Sequence, residues 1–220
     1  MKLIIGNKNY SSWSLRPWLL LRQAGIPFEE VQLRFNAPDF HEQAKRWSPT
    51  GKVPVLVDGD VTIWDTLSIA EHLAERFPDK ALWPEDRALR ARARSVCAEM
   101  HAGFEHMRSR LPMNCEARFP GMPLDIGARR DVARVVEIWL DRARFGAGGP
   151  FLFGRFSIAD AFFAPVAIRF AGFEVPLPPV AAEYRDNLLG LPAMQEWIAA
   201  AKAEHEFVEK DEPYREPPGR

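Results

Sequence analysis

The sequence predicts two domains in series, an α/β domain over residues 1–78 and an all-α domain over residues 86–220. Three observations carry this division. Short strand signals alternate with helical ones through the first part of the chain. From about Asp86 the strand signals stop and only helical periodicity remains. Between the two parts, the stretch from Pro78 to Glu85 breaks both patterns and reads as a linker.

KLIIGN opens the chain as a strand, and SLRPWLLLRQAG follows as an amphipathic helix ending at Gly25. FEEVQLRF is a second strand, and the charged stretch DFHEQAKRWSP is helical or irregular. VPVLVDGDVTIW reads as a hairpin, because Asp58-Gly59 between two apolar runs is a strong turn signal. TLSIAEHLAERF is then a helix, stopped by Pro78. The order β-α-β-α-β-β-α implies a small sheet covered by helices, with a right-handed crossover in its parallel part. Beyond the linker, ALRARARSVCAEMHAGFEHMRSRL predicts one long helix, with Arg90, Arg92 and Arg94 on a solvated face. GARRDVARVVEIWLDRARF, SIADAFFAPVAIRFAGF and LPAMQEWIAAAKAE predict three more. The tail EKDEPYREPPGR is polar and proline-rich, and is expected to pack loosely or be disordered.

Charge and composition narrow the function classes. The formal net charge of -1 gives no general reason to expect nucleic acid or an anionic membrane as partner. No run is long and apolar enough to span a bilayer, and MKLIIGNKNYSSW lacks the pattern of a secretory signal. Cys97 and Cys115 are too few for a disulfide framework and suit a reducing cytoplasm. The five histidines show no metal-binding spacing, so no metal is expected.

The chemistry-bearing residues begin with KNYSSWSLRPW, residues 8–18, where three serines stand as a strand gives way to a helix. Free N–H groups and the helix dipole favour negative charge at such a junction. The hydroxyls of Ser11, Ser12 and Ser14 are then either helix caps or a cradle for an anion such as a thiolate, with Ser14 best placed as the cap. Pro54 enters a strand and cannot donate a ladder hydrogen bond; a cis Val53-Pro54 bond would leave the Val53 backbone free for an extended peptide. Thr66 can cap the helix after the hairpin and, with its free N–H groups, cradle a carboxylate. Asp65 beside it can pair with an ammonium group. Ser157 and Asp160 form an S-x-x-D capping box that supports folding.

Over essentially its whole length the sequence resembles bacterial cytosolic glutathione S-transferases of the serine type, zeta- and theta-like. The resemblance rests on YSSWSLRPWLLL, SPTGKVPVLV, WDTLSIAEHLAERFP and FSIADAFFAPVAIRF in that order. It implies a thioredoxin-like, glutathione-binding domain followed by a helical bundle, in a homodimer of cytoplasmic detoxification enzymes with glutathione as co-substrate. It implies that Ser11, or next Ser12, activates the thiol, with Tyr10 as the rival donor. It places Lys52, Val53 and Pro54 along the glutathione backbone, and Asp65 and Thr66 on the γ-glutamyl group. Trp13 stands where some relatives hold a cysteine, which argues against a mixed-disulfide mechanism.

The expected reaction is attack of the glutathione thiolate on a small hydrophobic electrophile in a pocket between the domains. Trp13, Met100, Phe104, Met107 and residues 111–114 are its expected walls. One alternative is a glutathione-dependent cis-trans isomerase of the maleylacetoacetate type, with Arg16, Arg108, Arg110 or Arg118 receiving a dicarboxylate. The other is a non-catalytic binding module that keeps the fold.

Overall fold

The computed structural model describes residues 1–216. Its sheet is built from the apolar strand that opens the chain. β1 (Lys2–Ile5) runs parallel to β2 (Glu29–Gln32) and antiparallel to β3 (Val55–Asp58), which pairs in turn with β4 (Val61–Ile63). The order across the sheet is β2-β1-β3-β4. Because successive side chains point to opposite faces, Leu3 and Ile5 join the main core while Ile4 meets Leu33, Ala44 and Val55 in a smaller one. α1 (Ser12–Gln23) and α3 (Thr66–Arg76) cover the first face, and α2 (Phe40–Trp47) covers the second. The hairpin turn is Gly59-Asp60, and Gly59 takes φ +59°, a left-handed conformation that glycine adopts without steric cost.

The C-terminal domain is helical throughout. α8 (Ile158–Gly172) is apolar on all sides and almost wholly buried, which suits the central helix of a bundle. α1 packs against it and so joins the two domains. The single long helix expected over 88–111 is instead two: α4 (Arg87–Ala102) and α5 (Glu105–Arg110). Gly103 is extended and Phe104 lies at φ +60°, and this break turns α5 onto α6 (Ile126–Leu140). Asp141 ends α6, and a short α7 (Arg142–Phe145) follows. α9 (Pro179–Leu189), not anticipated, precedes α10 (Pro192–Lys202); its buried face is only Ala181, Tyr184 and Leu188. The arginines expected on a solvated face of α4 make structural contacts: Arg94 pairs with Glu71 of α3 at 2.9 Å, Arg92 pairs with Asp141, and Arg90 binds the linker carbonyls of Pro84 and Glu85.

The tail departs most from expectation. Glu212 is buried and accepts hydrogen bonds from the Tyr10 hydroxyl and the Asn114 amide, both at 2.8 Å. Glu204 accepts from the Lys8 N–H at 2.6 Å and from the Asn7 amide at 3.2 Å, and also from Gln32. Residues 203–216 thus strap across the loop that carries the serines. The last four residues of the predicted loose tail, 217–220, lie outside the described residues. No helix among those described is long and apolar enough to cross a membrane, and no group of acidic, histidine or cysteine residues among them is arranged to hold a metal.

Candidate active site

Two cavities, of about 520 and 350 Å³, open where the N-terminal sheet domain faces the helical domain, and they share Ser12, Trp13, Lys52, Val53, Arg108 and Arg169. The larger adds Pro54, Asp65, Thr66 and His101. The smaller adds Tyr10, Ser11, Phe35, Phe40, Met113 and Asp211.

The three serines have separate fates. Ser14 is not the helix cap. It is fully buried in the first turn of α1, where its Oγ accepts from the Gly6 N–H at 3.1 Å and from the Ser11 hydroxyl at 2.7 Å. Ser11 occupies the N-cap position, but its side chain makes no capping bond because it donates inward to Ser14. Ser12 is the first helical residue, lines both cavities, and its hydroxyl has no hydrogen-bond partner among the described residues. The Tyr10 hydroxyl is engaged by Glu212 at 2.8 Å and the Glu206 carbonyl at 2.9 Å. Burial, followed by the Glu212 carboxylate, pushes its pKa up. A phenol so placed is a poor proton donor to a thiolate.

The hairpin side is assembled from neighbouring carbonyls and caps. The Val53-Pro54 bond is cis, and both residues line the larger cavity. Asp65, rather than Thr66, caps α3: its Oδ1 accepts from the Leu67 N–H at 3.0 Å while its Oδ2 lies 3.0 Å from His101 Nε2. Thr66 is the first residue of that helix, and its hydroxyl donates to the Trp13 carbonyl at 3.3 Å. That carbonyl is free because Pro17, four residues on in α1, has no N–H to give it. A proline inside one helix therefore lets a second helix dock against its first turn.

Met100, Phe104 and Met107, expected as pocket walls, are core residues: all three are buried, and none lines either cavity. Met100 is on the buried face of α4 and Met107 on that of α5, with Phe104 packed inward at the break between the two helices. Trp13 does line both cavities. The guanidinium of Arg16 stacks 4.2 Å from its ring centroid and that of Arg108 5.4 Å, and His101 meets it edge-on at 5.3 Å. Of the basic residues considered from sequence, Arg110 pairs with Asp125, and Arg118 lines a separate groove beside Cys115.

Arg169 and His101 were missed. Arg169 is the one basic residue of α8, whose only other charged residue is Asp160, a signal that was present in IADAFFAPVAIRFAG. It is 6% exposed, and its NH1 donates to the carbonyls of Arg108 and Leu111. Burial, and then the charge of Arg108, lower its pKa to about 9. Burial followed by Arg169 and Arg108 likewise lowers that of Arg16, which donates to the Phe162 and Ser12 carbonyls at 3.0 Å each.

Two family models match this chain, "Glutathione S-transferase, N-terminal domain" over residues 10–76 and "Glutathione S-transferase, C-terminal domain" over residues 87–200. The chain belongs to the glutathione S-transferase family. A dichloromethane dehalogenase of Methylorubrum extorquens is 37% identical over 60 residues, 26% of this chain and 21% of that protein, so the chain spans about a fifth of that relative's length. Glutathione S-transferase Z2 of Arabidopsis thaliana is 26% identical over 203 residues, 86% of this chain and 88% of its own. Among solved structures, a glutathione transferase homolog from Burkholderia with bound glutathione superposes with a TM-score of 0.68 at 23% identity, covering 93% of this chain and 98% of its own. At that identity the likeness is one of fold.

Proposed function

We propose that this family member is a glutathione transferase that binds glutathione in the larger cavity and holds its thiolate at Ser12. The observation that carries this reading is the Ser12 hydroxyl, which has no partner among the described residues and lies where the two cavities meet. A thiol of pKa about 8.5 is mostly protonated at neutral pH, and a hydroxyl donating to sulfur at the head of a helix favours the thiolate. The thiol proton leaves to solvent, the sulfur attacks the acceptor carbon, and the leaving group departs with its bonding pair. Lys52, Val53 and Pro54 flank the glutathione backbone in this reading, with Asp65 and Thr66 at its γ-glutamyl end.

Ser11, the first choice from sequence, yields to Ser12 because its proton is directed to Ser14. Phe35, Phe40 and Met113 give the smaller cavity an apolar wall for the acceptor. A two-fold homodimer is the assembly the family resemblance implies. The two unpaired, buried cysteines fit a reducing cytoplasm, and detoxification there is the role the family resemblance implies. Calorimetric titration with glutathione, followed by turnover with aryl halides, epoxides and a maleyl substrate, tests the proposal. Absence of heat on titration would sink it.

A further inference from the structure

The C-terminal strap brings one carboxyl group to the smaller cavity and draws one hydroxyl away from it. Glu209–Asp211 form a single 3-10 turn, in which the Asp211 N–H donates to the Val208 carbonyl at 2.8 Å. The next residue, Glu212, is buried against the Tyr10 hydroxyl and the Asn114 amide and fixes the turn in place. Asp211 thus joins the wall of the smaller cavity, with Ser12 and the apolar side chains of Phe35, Phe40 and Met113. Tyr10 lines that cavity too, but its hydroxyl is directed to Glu212 and the Glu206 carbonyl.

Among the described residues, Asp211 is the one carboxyl in this wall. Its side chain makes no hydrogen bond and no ion pair among them, and its Oδ2 is buried. Cations are close by: Lys52, Arg108, Arg169 and Lys210 line the same cavity, with His41 at its exposed rim, yet none of them pairs with Asp211. Lys210, its chain neighbour, instead lies over the Phe35 ring, 5.2 Å from the centroid. A buried carboxylate oxygen with no donor is costly, and a bound proton relieves that cost. Burial raises the Asp211 pKa against the opposing charge of Lys210, and Glu212 adds to the rise. Asp211 therefore keeps its proton to higher pH than an exposed aspartate, with no protein acceptor to give it to.

We propose that Asp211 is the general acid for acceptors whose breaking bond leaves its electron pair on oxygen, as in an epoxide. The proposal rests on the transferase reading above and adds a proton donor to it. The thiolate sulfur forms the C–S bond at an epoxide carbon, the C–O bond breaks, and its electron pair stays on oxygen. That oxygen takes the Asp211 proton and becomes a hydroxyl, and Asp211 regains a proton from the solvent that received the one from the thiol. Ser12 donates to sulfur and Tyr10 is bound to the strap, so neither serves the oxygen. A halide leaves without a proton, so an aryl chloride makes no such demand.

The test divides the rate of styrene oxide conjugation by that of chlorodinitrobenzene, each first divided by its uncatalysed rate with glutathione. Both reactions use the same thiolate, so the ratio cancels its ionisation and reads the proton donor. A positioned general acid supplies roughly 100-fold or more, and asparagine can still donate a hydrogen bond, so Asp211→Asn should lower the ratio at least about tenfold. In the wild type the ratio should fall as pH rises from about 5 to about 8, because the protonated form of Asp211 is lost; in Asp211→Asn it should stay level. A variant ratio within about twofold of the wild type overturns the proposal. So does a variant ratio that still falls with pH, which would assign the proton to another group of the cavity such as His41. Should the variant fail to fold, the wild-type profile decides, and a level or rising ratio overturns the proposal. Conjugation of chlorodinitrobenzene without any of styrene oxide also overturns it, and leaves the transferase reading standing. If neither substrate is conjugated, the transferase reading falls and takes this role with it.

Discussion

Replacing Ser12 with alanine removes one hydroxyl that no protein group uses, so its effect should appear in the chemistry and not in the fold. A hydrogen bond to a charged group is worth about 1.5–3 kcal/mol. At about 1.36 kcal/mol per pKa unit, losing it should raise the pKa of bound glutathione by about 1–2 units. The bound thiolate at pH 6.5, and with it kcat/KM for an uncharged aryl halide, should fall about 10- to 100-fold. At alkaline pH, where the thiol ionises unaided, the variant should approach the wild type. The assay is a pH–rate profile beside the ultraviolet absorbance of the bound thiolate, with Ser11→Ala as comparator. Ser11→Ala removes a buried bond of 2.7 Å to Ser14 and should lower stability by about 1 kcal/mol while leaving the ionisation in place. If Ser12→Ala keeps the wild-type profile, or Ser11→Ala shifts it further, the reasoning fails.

Other substitutions separate binding from folding. Asp65→Ala removes both the cap on the Leu67 N–H and the partner of His101, so it should cost about 1 kcal/mol of stability in denaturant titration and weaken glutathione binding by calorimetry. Ser14→Ala leaves the buried Gly6 N–H without an acceptor and should cost about 1–3 kcal/mol, more than a lost surface cap; a change under half a kcal/mol would contradict the bond. Burial raises the Asp160 carboxyl to about 6 despite the Leu152 N–H, Tyr184 and Ser157 bonds it accepts. The folded state therefore binds a proton the unfolded chain has released, and this group's contribution is fully present below about pH 4 and is lost as pH rises through 6. Measured against Asp160→Asn, the wild type should lose relative stability across that window; a flat difference would remove Asp160 from the pH dependence. Light scattering at micromolar concentration should give a dimer mass.

What could be read from the sequence was what neighbouring residues decide. The hairpin turning at Gly59, the strand KLII and the apolar helix around Phe162 all announce themselves within a dozen residues. The break at Gly103 and Phe104 did not, because strong helix formers on both sides outweigh a single glycine in any local count. Ser14 looked like a cap because its true partner is the Gly6 N–H across the strand end. Met100 and Met107 carry the same helical spacing whether they face a core or a pocket, and only the packing of α4 and α5 separates the two. The tail from Glu209 was misread for a related reason: Glu212 is an ordinary surface residue by composition, and its partner Tyr10 lies near the other end of the chain.

That strap has a consequence for how the protein comes into being. During synthesis the N-terminal residues leave the ribosome first, and all four strands of the sheet lie within residues 1–63. The loop from Asn7 to Tyr10, however, is held by Glu204, Glu206 and Glu212, and Glu204 lies 196 residues beyond Lys8 in the chain. The serine junction therefore stays untethered until synthesis has passed α10. A premature stop just after α10 would delete none of the serines, the cis-proline or the arginines, yet it would release the segment on which their alignment depends.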